Sequence, residues 1–189
     1  AINDFHGHLE TPQSTYSFEE AGELRRVQLG GAAELAATLN DLREGNSVTV
    51  AAGDLIGASP LISSLFLDEP SIRALSEMGL DIASVGNHEF DRGTQELLRI
   101  QRGGCEQFTL REPCAIEPFA GAGFAYLAGN VVDDGGDTLL PGTSMREIGG
   151  AQIGFIGLTL EGTANLVSAQ ATQGFDFLDE ADTAKEIAR

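Results

Sequence analysis

The stretch SVGNHEFDRG at residues 84–93 gives the strongest indication of what this chain is. The apolar run at residues 82–85 that leads into it is typical of a buried strand. The run stops at a glycine, and an amide, an imidazole and a carboxylate follow closely, at Asn87, His88 and Asp91. Sheets built from alternating strands and helices carry their binding groups at the carboxyl ends of the strands. The stretch therefore predicts a polar site at the end of a strand.

Two earlier stretches have the same shape. AINDFHGH at residues 1–8 places Asp4 and His6 two positions apart, which on an extended strand puts both side chains on the same side. VTVAAGD at residues 48–54 ends a second apolar run in glycine and Asp54. Each motif alone is weak, because Gly53 and Asp54 also suit a turn that the carboxylate caps, and Asp4 and His6 also suit a solvated loop. Three such motifs, each behind an apolar run, favour a metal site, because carboxylate and imidazole groups can share one divalent cation.

Composition indicates a globular α/β protein. The 189 residues are 42% hydrophobic and include 24 glycines, which suits a single buried core with many tight turns. The formal net charge of -18 argues against binding to a nucleic-acid backbone, which requires basic patches. No apolar run reaches the length of about 18 residues that a membrane span requires. An anionic phosphate substrate would need bound cations to attract it to so acidic a chain.

The motifs resemble those of the calcineurin-like metallophosphoesterases and, within that superfamily, those of the bacterial 5′-nucleotidase family. The resemblance rests on NDFHGHLE (3–10), AAGDLIGASP (51–60) and SVGNHEFDRG (84–93). It continues through FAYLAGNVV (124–132) and IGLT (156–159), and so covers nearly the whole chain. It implies an αββα sandwich with two facing sheets flanked by helices, here truncated, with a mostly parallel sheet and a late hairpin.

The same resemblance implies a set of metal ligands. Asp4 and His6 would bind a first divalent cation, and Asn87 would bind a second. Asp54 would bridge the two, since a carboxylate has two oxygens to offer. Mn²⁺, Zn²⁺, Mg²⁺ and Co²⁺ are all compatible with this mixture of oxygen and nitrogen donors.

The resemblance implies a hydrolytic reaction as well. Asn87, His88 and Asp91 would form its catalytic group, in which His88 contacts the phosphate and stabilises charge in the transition state. Asp91 would orient the His88 ring, as carboxylates next to imidazoles do. The implied reaction is attack on a nucleotide phosphomonoester by water that two cations activate. A small nucleotide is therefore the expected substrate, and nucleic acid is not expected as a partner.

The chain departs from the family in its histidines. It contains only His6, His8 and His88, whereas the family completes its site with further histidine ligands from later strands. We therefore expect residues 1–189 to be the amino-terminal part of one larger catalytic domain. The remaining metal-ligand strands and a carboxy-terminal nucleotide-binding domain would be absent. From this part alone we expect weak metal binding and little activity.

Two other functions stay open. A cyclic-nucleotide or nucleotide-sugar phosphohydrolase would share the fold and differ in a substrate pocket that these motifs do not contain. A domain that keeps the fold and binds a metal or a partner without catalysis belongs to a different class. The sequence beyond Arg189 separates these classes, because further histidine ligands there favour an enzyme and a natural stop codon there favours a binding domain.

Some polar residues near the motifs have plainer interpretations than ligand binding. We predict that His8 holds its loop through hydrogen bonds and that Glu89 braces its loop. Arg92 fits loop bracing at least as well as phosphate binding. The acidic group at residues 133–137 lacks the spacing of a calcium-binding EF-hand, which favours a solvated turn.

Cys105 and Cys114 are the only cysteines and lie in an irregular, glycine-bounded segment. Two free thiols are one interpretation, but an even pair in such a segment of an acidic chain favours a disulfide. A disulfide points to an oxidising compartment. This agrees with the periplasmic or extracellular location that the resemblance implies. Because Ala1 lies inside the predicted first strand, we expect residues upstream of it, with any targeting segment among them, to be missing from this sequence.

Hydrophobic periodicity and helix-end signals give the predicted elements. Helices are predicted at residues 30–43, 60–67, 69–78, 94–102 and from 180 onward. Strands are predicted at residues 48–52, 82–85 and 126–132, followed by a hairpin of residues 143–147 and 152–160. Residues 10–20 and 105–124 are predicted to be irregular.

Overall fold

The computed structural model describes all of residues 1–189, which form nine strands and five α-helices. The strands are β1 (Tyr16–Glu20), β2 (Glu23–Val27), β3 (Val50–Ala51), β4 (Ile82–Ser84), β5 (Ala125–Leu127), β6 (Val131–Asp133), β7 (Thr143–Ile148), β8 (Ala151–Ile156) and β9 (Phe175–Phe177). The helices are α1 (Ala32–Leu42), α2 (Leu61–Ser64), α3 (Glu69–Glu77), α4 (Thr94–Arg102) and α5 (Glu180–Ile187). Short 3₁₀ helices lie at His88–Phe90 and Glu161–Asn165.

A parallel sheet positions the loops that carry the motifs. β4 pairs with β3 on one side and with β5 on the other, both in parallel. Ile2 extends this sheet through a parallel bridge to Ala51. Because these segments all run in one direction, their carboxyl ends lie at the same edge. The residues that follow Ile2, β3 and β4 therefore meet at that edge, which we call the sheet rim.

Helices α3 and α4 contribute the core beside this sheet. Ile72 and Leu75 in α3 are three positions apart, as are Leu97 and Ile100 in α4, which places each pair on one helix face. All four side chains are buried and belong to one cluster with Val85. The predicted helix at residues 94–102 is confirmed over its full length. None of the helices combines the length and the hydropathy that crossing a bilayer requires.

The other six strands form three antiparallel pairs. The predicted late hairpin is confirmed as β7–β8, which turns through Gly149 and Gly150. β6 pairs with β9, and Phe177 packs edge-on against Phe90 with the ring centroids 5.2 Å apart. The predicted α/β class with a parallel sheet is confirmed, although parallel pairing is confined to the segments around β4.

An early hairpin, β1–β2, lies where the sequence predicted an irregular segment at residues 10–20. Its two strands pair antiparallel from Tyr16↔Val27 to Glu20↔Glu23. The turn between them passes through Ala21 and Gly22, both with left-handed φ, the conformation that a tight hairpin turn requires. The prediction was wrong because alanine is a rare residue at such a position and gives no turn signal.

The predicted strand at residues 126–132 is two strands. β5 ends at Leu127, and β6 begins at Val131 and pairs with β9 instead of β4. Between them the buried amide of Asn130 donates to the carbonyls of Thr159 and Leu178 and accepts from the Thr159 N–H at 2.8 Å. These side-chain bonds replace the strand ladder at this point. Neither they nor β9 produce a local sequence pattern, so both were missed.

The predicted disulfide between Cys105 and Cys114 is present. It closes a segment that follows α4 and contains no helix or strand, as predicted for residues 105–124. The bridged segment is therefore held covalently at both ends although it has no regular structure of its own.

Candidate functional site

Three of the predicted ligands meet at the sheet rim. Asp4, His6 and Asp54 each offer a donor atom, and these atoms all lie within 4.8 Å of one another. Asp4 is exposed, whereas His6 and Asp54 are half-buried. Hydrogen bonds from the His6 N–H to the Asp54 carbonyl (3.0 Å) and from the Asp4 N–H to the Gly53 carbonyl (3.1 Å) tie the two loops together. Two carboxylates and one imidazole at this separation suit a divalent cation.

The backbone at these residues is strained. Asp4, His6 and Asp54 have φ values of 51°, 45° and 51°, so they account for three of the eight non-glycine residues with positive φ. Such conformations persist only where surrounding contacts impose them, and they occur often at functional sites. The expectation that Asp4 and His6 share a side because they lie on an extended strand was wrong. Both residues instead adopt the left-handed conformation, and Nε2 of His6 lies 3.8 Å from an Asp4 carboxylate oxygen.

The tautomer of His6 follows from its neighbour. Its Nδ1 lies 2.9 Å from the Gly57 carbonyl oxygen, which can only accept a hydrogen bond. Nδ1 therefore carries a proton, and in the neutral tautomer the lone pair is on Nε2, which lies 3.8 Å from an Asp4 carboxylate oxygen. Backbone carbonyls commonly fix metal-binding histidines in this way. No sequence signal pointed to Gly57 as this partner.

The loop that carries Asn87 lies directly against the loop that carries Asp54. The His88 N–H donates to Oδ1 of Asp54 at 3.0 Å. A β-carbon on Gly86 would lie 2.2 Å from that same oxygen, so only glycine permits this approach. Asn87 is half-buried, and its side-chain amide makes no hydrogen bond within the chain. The amide oxygen of Asn87 thus accepts no hydrogen bond from the chain, and the neighbouring residue His88 contacts Asp54.

His88 and Asp91 form the predicted imidazole–carboxylate pair. Nδ1 of His88 donates to Oδ2 of Asp91 at 2.8 Å, which leaves Nε2 free. The His88 ring also packs edge-on against the His6 ring, with the centroids 4.9 Å apart. Desolvation lowers the pKa of His88, but the hydrogen bond and charge of Asp91, together with the charges of Asp54 and Glu89, raise it above its usual value. The ring is thereby biased toward its protonated form.

The buried side chain of Glu89 holds together the loops that follow β3 and β4. Its carboxylate accepts the N–H groups of Asp54 (3.0 Å), Leu55 (2.7 Å) and Gly86 (2.7 Å), and also the Tyr126 hydroxyl (3.3 Å). Glu89 is 2% exposed, so its carboxylate is hydrogen-bonded by these four groups instead of by water. Burial raises the pKa of Glu89 to about 7, against the three backbone N–H groups that favour its charged form. The predicted bracing role is confirmed, and it extends to the Asp54 loop.

Arg92 also braces its loop. It forms an ion pair with Asp68, whose side chain is fully buried and accepts a hydrogen bond from Ser63 at 2.6 Å. Burial by itself raises the pKa of Asp68, but the charge of Arg92 and the hydrogen bonds from Ser63 and Arg92 hold it below its usual range. No local signal identified Asp68, which is 24 positions from Arg92.

His8 does not behave as predicted. Its ring is exposed, makes no hydrogen bond and is not part of the cluster formed by Asp4, His6 and Asp54. Its backbone N–H donates to the Phe5 carbonyl at 3.0 Å, so the main chain holds this loop instead of the imidazole.

Comparison with known proteins gives relatives over most of the chain. No protein-family model matches it. An uncharacterized protein of Acinetobacter calcoaceticus is 44% identical over 158 residues, which cover 79% of this chain and 78% of that protein. A cell wall protein of Listeria monocytogenes is 36% identical over 96% of this chain, and an endonuclease of Bacillus subtilis is 31% identical over 100% of it. The chain spans 24% and 15% of the lengths of these two proteins.

A solved structure has the same fold. The NAD nucleotidase of Haemophilus influenzae superimposes with a TM-score of 0.73 and 26% sequence identity, over 99% of this chain and 30% of that enzyme. With its parallel sheet and its motif loops at one rim, the chain belongs to the calcineurin-like metallophosphoesterase superfamily, in the bacterial 5′-nucleotidase family of hydrolases.

Proposed function

We propose that the sheet rim of this chain is the metal-binding half of a phosphomonoesterase site that hydrolyses nucleotides. The observation that carries this proposal is the convergence of Asp4, His6 and Asp54, whose donor atoms lie within 4.8 Å of one another although the residues come from two separate loops. A carboxylate–imidazole–carboxylate set suits the divalent cations that such hydrolases use.

The donor set supports a division of roles among the ligands. Asp4 and Nε2 of His6 would hold one cation, and the amide oxygen of Asn87 would hold the other. Asp54 would bridge them, since Oδ1 accepts only one N–H and Oδ2 accepts none within the chain. When bound, the cations would lower the pKa of the attacking water and neutralise the phosphoryl oxygens.

His88 and Asp91 would act on the phosphoryl group. Asp91 holds Nδ1 of His88, so the ring can contact a phosphoryl oxygen only through Nε2. Protonation at Nε2 would make the imidazole a charged hydrogen-bond donor, and the raised pKa of His88 favours that state. Preorganised donors of this kind stabilise charge that develops in a transition state.

The activity of the whole protein is part of this proposal. Residues 1–189 supply Asp4, His6, Asp54 and Asn87, and no histidine follows His88 in the chain to supply a further ligand from a later strand. We therefore infer that this chain forms the amino-terminal portion of one catalytic domain. It would then bind metal weakly and turn over little substrate by itself.

A mononucleotide fits the chain better than a nucleic acid. The Bacillus relative is named an endonuclease, but the net charge of -18 here opposes the many phosphate contacts that a nucleic-acid backbone requires. An oxidising location outside the cytoplasm is supported by the Cys105–Cys114 disulfide and by the cell wall relative from Listeria.

The metal-binding step can be tested by calorimetry with Mn²⁺ and with Zn²⁺. Replacing a bridging carboxylate removes a ligand from both cations, so Asp54→Ala should lower the affinity by roughly 100-fold or more, since even outer-shell changes cost about 10–100-fold. Asp41→Ala is the matched control, because Asp41 is exposed in α1 and should leave the affinity unchanged. Equal affinities in wild type and Asp54→Ala would contradict the proposal.

The same experiment separates binding from catalysis. Asp91→Asn should leave metal affinity unchanged, because Asp91 contacts His88 and not the predicted ligands. In the intact enzyme it should lower kcat more than it raises KM. An Asp91→Asn variant with wild-type kcat would show that the imidazole–carboxylate pair plays no part in the reaction.

A further inference from the structure

Two arginines line one cavity of the chain. This cavity, which we call the arginine cavity, has a volume of about 550 Å³ and contains Arg92, Arg111 and a single acidic residue, Asp91. The chain has only eleven lysines and arginines and a formal net charge of -18, so two arginines in one cavity are a local exception. The other polar side chains around the cavity can all donate hydrogen bonds. They are Thr94, Gln95, Thr109, Ser168 and Gln170.

A second cavity, with a volume of about 560 Å³, has the opposite character. It contains Asp4 and Glu34 but neither lysine nor arginine, and we call it the acidic cavity. The two volumes are nearly equal, so size does not distinguish the cavities. Charge does, because a small anion is repelled from the acidic cavity.

Arg92 is held in place on one side only. It forms an ion pair with the fully buried carboxylate of Asp68, which also accepts a hydrogen bond from Ser63 at 2.6 Å. This pair offsets the charge of Arg92 but fixes the position of its guanidinium group. A guanidinium group has five N–H donors. Those of Arg92 that do not contact Asp68 make no hydrogen bond within the chain, and the side chain is 22% exposed.

Arg111 supplies the charge that Arg92 shares with Asp68. It donates to the Ser64 carbonyl and forms no ion pair with a carboxylate of the chain. It lies in the disulfide-closed segment, whose Cys114 N–H donates to Glu69 at 3.0 Å. This anchor keeps the Arg111 backbone near the cavity, so little ordering is needed before an anion binds.

The first turn of α4 adds backbone donors to the two arginines. Gly93, Thr94 and Gln95 line the arginine cavity, and the N–H groups of Thr94 and Gln95 make no hydrogen bond within the chain. No side chain caps this end of the helix. These N–H groups carry partial positive charge and point out of the helix end.

Asp91 connects the arginine cavity to the rim. It lines the cavity, and its Oδ2 accepts the hydrogen bond from Nδ1 of His88 at 2.8 Å. The single acidic residue of the cavity is therefore already engaged by an imidazole. The cavity also lies next to the group that we expect to contact the phosphoryl oxygens.

We propose that the arginine cavity is a second oxyanion site, which binds inorganic phosphate through Arg92 and Arg111 without a metal ion. The guanidinium groups donate to the phosphate oxygens, and the free N–H groups of α4 and the surrounding hydroxyl and amide side chains complete the contacts. This binding does not depend on the proposed hydrolysis. If that hydrolysis occurs, it releases the same anion at the neighbouring rim, and the cavity gives the product a place to bind away from the cations.

The test is a titration of the metal-free, ¹⁵N-labelled chain with inorganic phosphate at constant ionic strength, followed by chemical-shift changes. We expect saturable shifts at the amides of Thr94, Gln95 and Arg111, and none at Leu35 and Thr38 of the acidic cavity. Potassium chloride at the same ionic strength should produce no such shifts.

Arg111→Gln should weaken phosphate binding by about tenfold, the usual effect of losing a hydrogen bond between charged groups. Arg26→Gln is the matched control, because it removes the same charge from an exposed position in β2, outside both cavities. Unshifted amides of Gly104 and Cys114 in the Arg111→Gln spectrum would show that the segment stays anchored. Arg111→Lys retains the charge and should bind phosphate more tightly than Arg111→Gln.

The outcomes separate this inference from the proposed function. Absence of saturation at millimolar phosphate, equal shifts with chloride, shifts confined to the rim or the acidic cavity, or equal affinity in wild type and Arg111→Gln would overturn the inference. Asp54→Ala should retain phosphate binding while losing metal. If phosphate binds as expected but Asp54→Ala keeps wild-type metal affinity, the phosphatase proposal fails and the oxyanion site stands.

Discussion

The sheet rim and the hairpin β1–β2 are both surface features, but the chain holds them in different ways. Every residue of the hairpin except Val27 is exposed, and its order comes from its own strand pairing. The rim loops depend on Glu89, whose buried carboxylate accepts hydrogen bonds from N–H groups in the loops after β3 and β4. Strand pairing within one segment is enough to order a hairpin, whereas a site made of separate loops needs a buried side chain that bonds to all of them.

The two regions also differ in backbone strain. The hairpin has positive φ only at its turn, at Ala21 and Gly22. At the rim, Asp4, His6 and Asp54 are all left-handed, which costs about 1 kcal/mol or more per residue. Contacts elsewhere must offset this cost. Substitutions that weaken those contacts should therefore have larger effects at the rim than at the hairpin.

Replacing Glu89 should have the largest effect. In Glu89→Gln one carboxylate oxygen becomes an NH₂ group, so two of the four donors around it lose their acceptor. Each unsatisfied buried donor costs about 1–3 kcal/mol, so we expect a loss of about 4 kcal/mol in the free energy of unfolding. Urea denaturation measures it. Glu186→Gln, at an exposed position in α5, is the control and should stay within about 0.5 kcal/mol of wild type.

The same variant tests whether the brace serves the site. Because Glu89 holds the Asp54 N–H, Glu89→Gln should also lower Mn²⁺ affinity by about tenfold. A variant as stable as wild type would show that the rim does not depend on this carboxylate.

Asp68→Asn should have the next largest effect. It removes the charge that pairs with Arg92 and weakens a buried network, which we expect to cost about 2–3 kcal/mol, less than a fully buried pair because Arg92 is partly exposed. The pKa of Asp68 is lowered in the folded state. The contribution of Asp68 to the free energy of unfolding is therefore complete above the unfolded pKa of about 3.9, and it is lost as pH falls through the folded pKa.

Chemical denaturation across pH measures this contribution. The difference between wild type and Asp68→Asn should be constant from about pH 5 to pH 7 and should shrink below about pH 4. A difference that grows toward acidic pH would mean that the Asp68 carboxylate is not stabilised by its partners.

Phe18→Ala in the hairpin should have the smallest effect. Phe18 is 45% exposed and faces Arg25 across the strand pair without entering the core. Surface substitutions of this kind change the free energy of unfolding by less than about 0.5 kcal/mol. A loss well above about 1 kcal/mol in a thermal or urea melt would show that another surface covers the hairpin, and the contrast with the rim would weaken.

Several elements could be predicted because their signals are local. The helix at residues 94–102 and the hairpin β7–β8 follow from apolar spacing and glycine turns within the segment itself. The disulfide could be predicted because the chain has only two cysteines. The break between β5 and β6 could not, because it depends on Asn130 bonding to Thr159, which lies 29 positions away.

Residue patterns alone predict the α/β class, the strand ends that carry polar residues, and the candidate ligands Asp4, His6, Asp54 and Asn87, whose binding of metal stays a prediction. The folded arrangement was needed to show how these residues are held: left-handed backbone in place of an extended strand, Gly57 as the partner of His6, and Asp68 as the partner of Arg92. The difference arises from the distance along the chain over which each kind of signal acts. Hydrophobic periodicity and turn-forming residues act over a few positions. The hydrogen-bond donors to a buried carboxylate, by contrast, come from segments that are distant in sequence and adjacent only in the folded core.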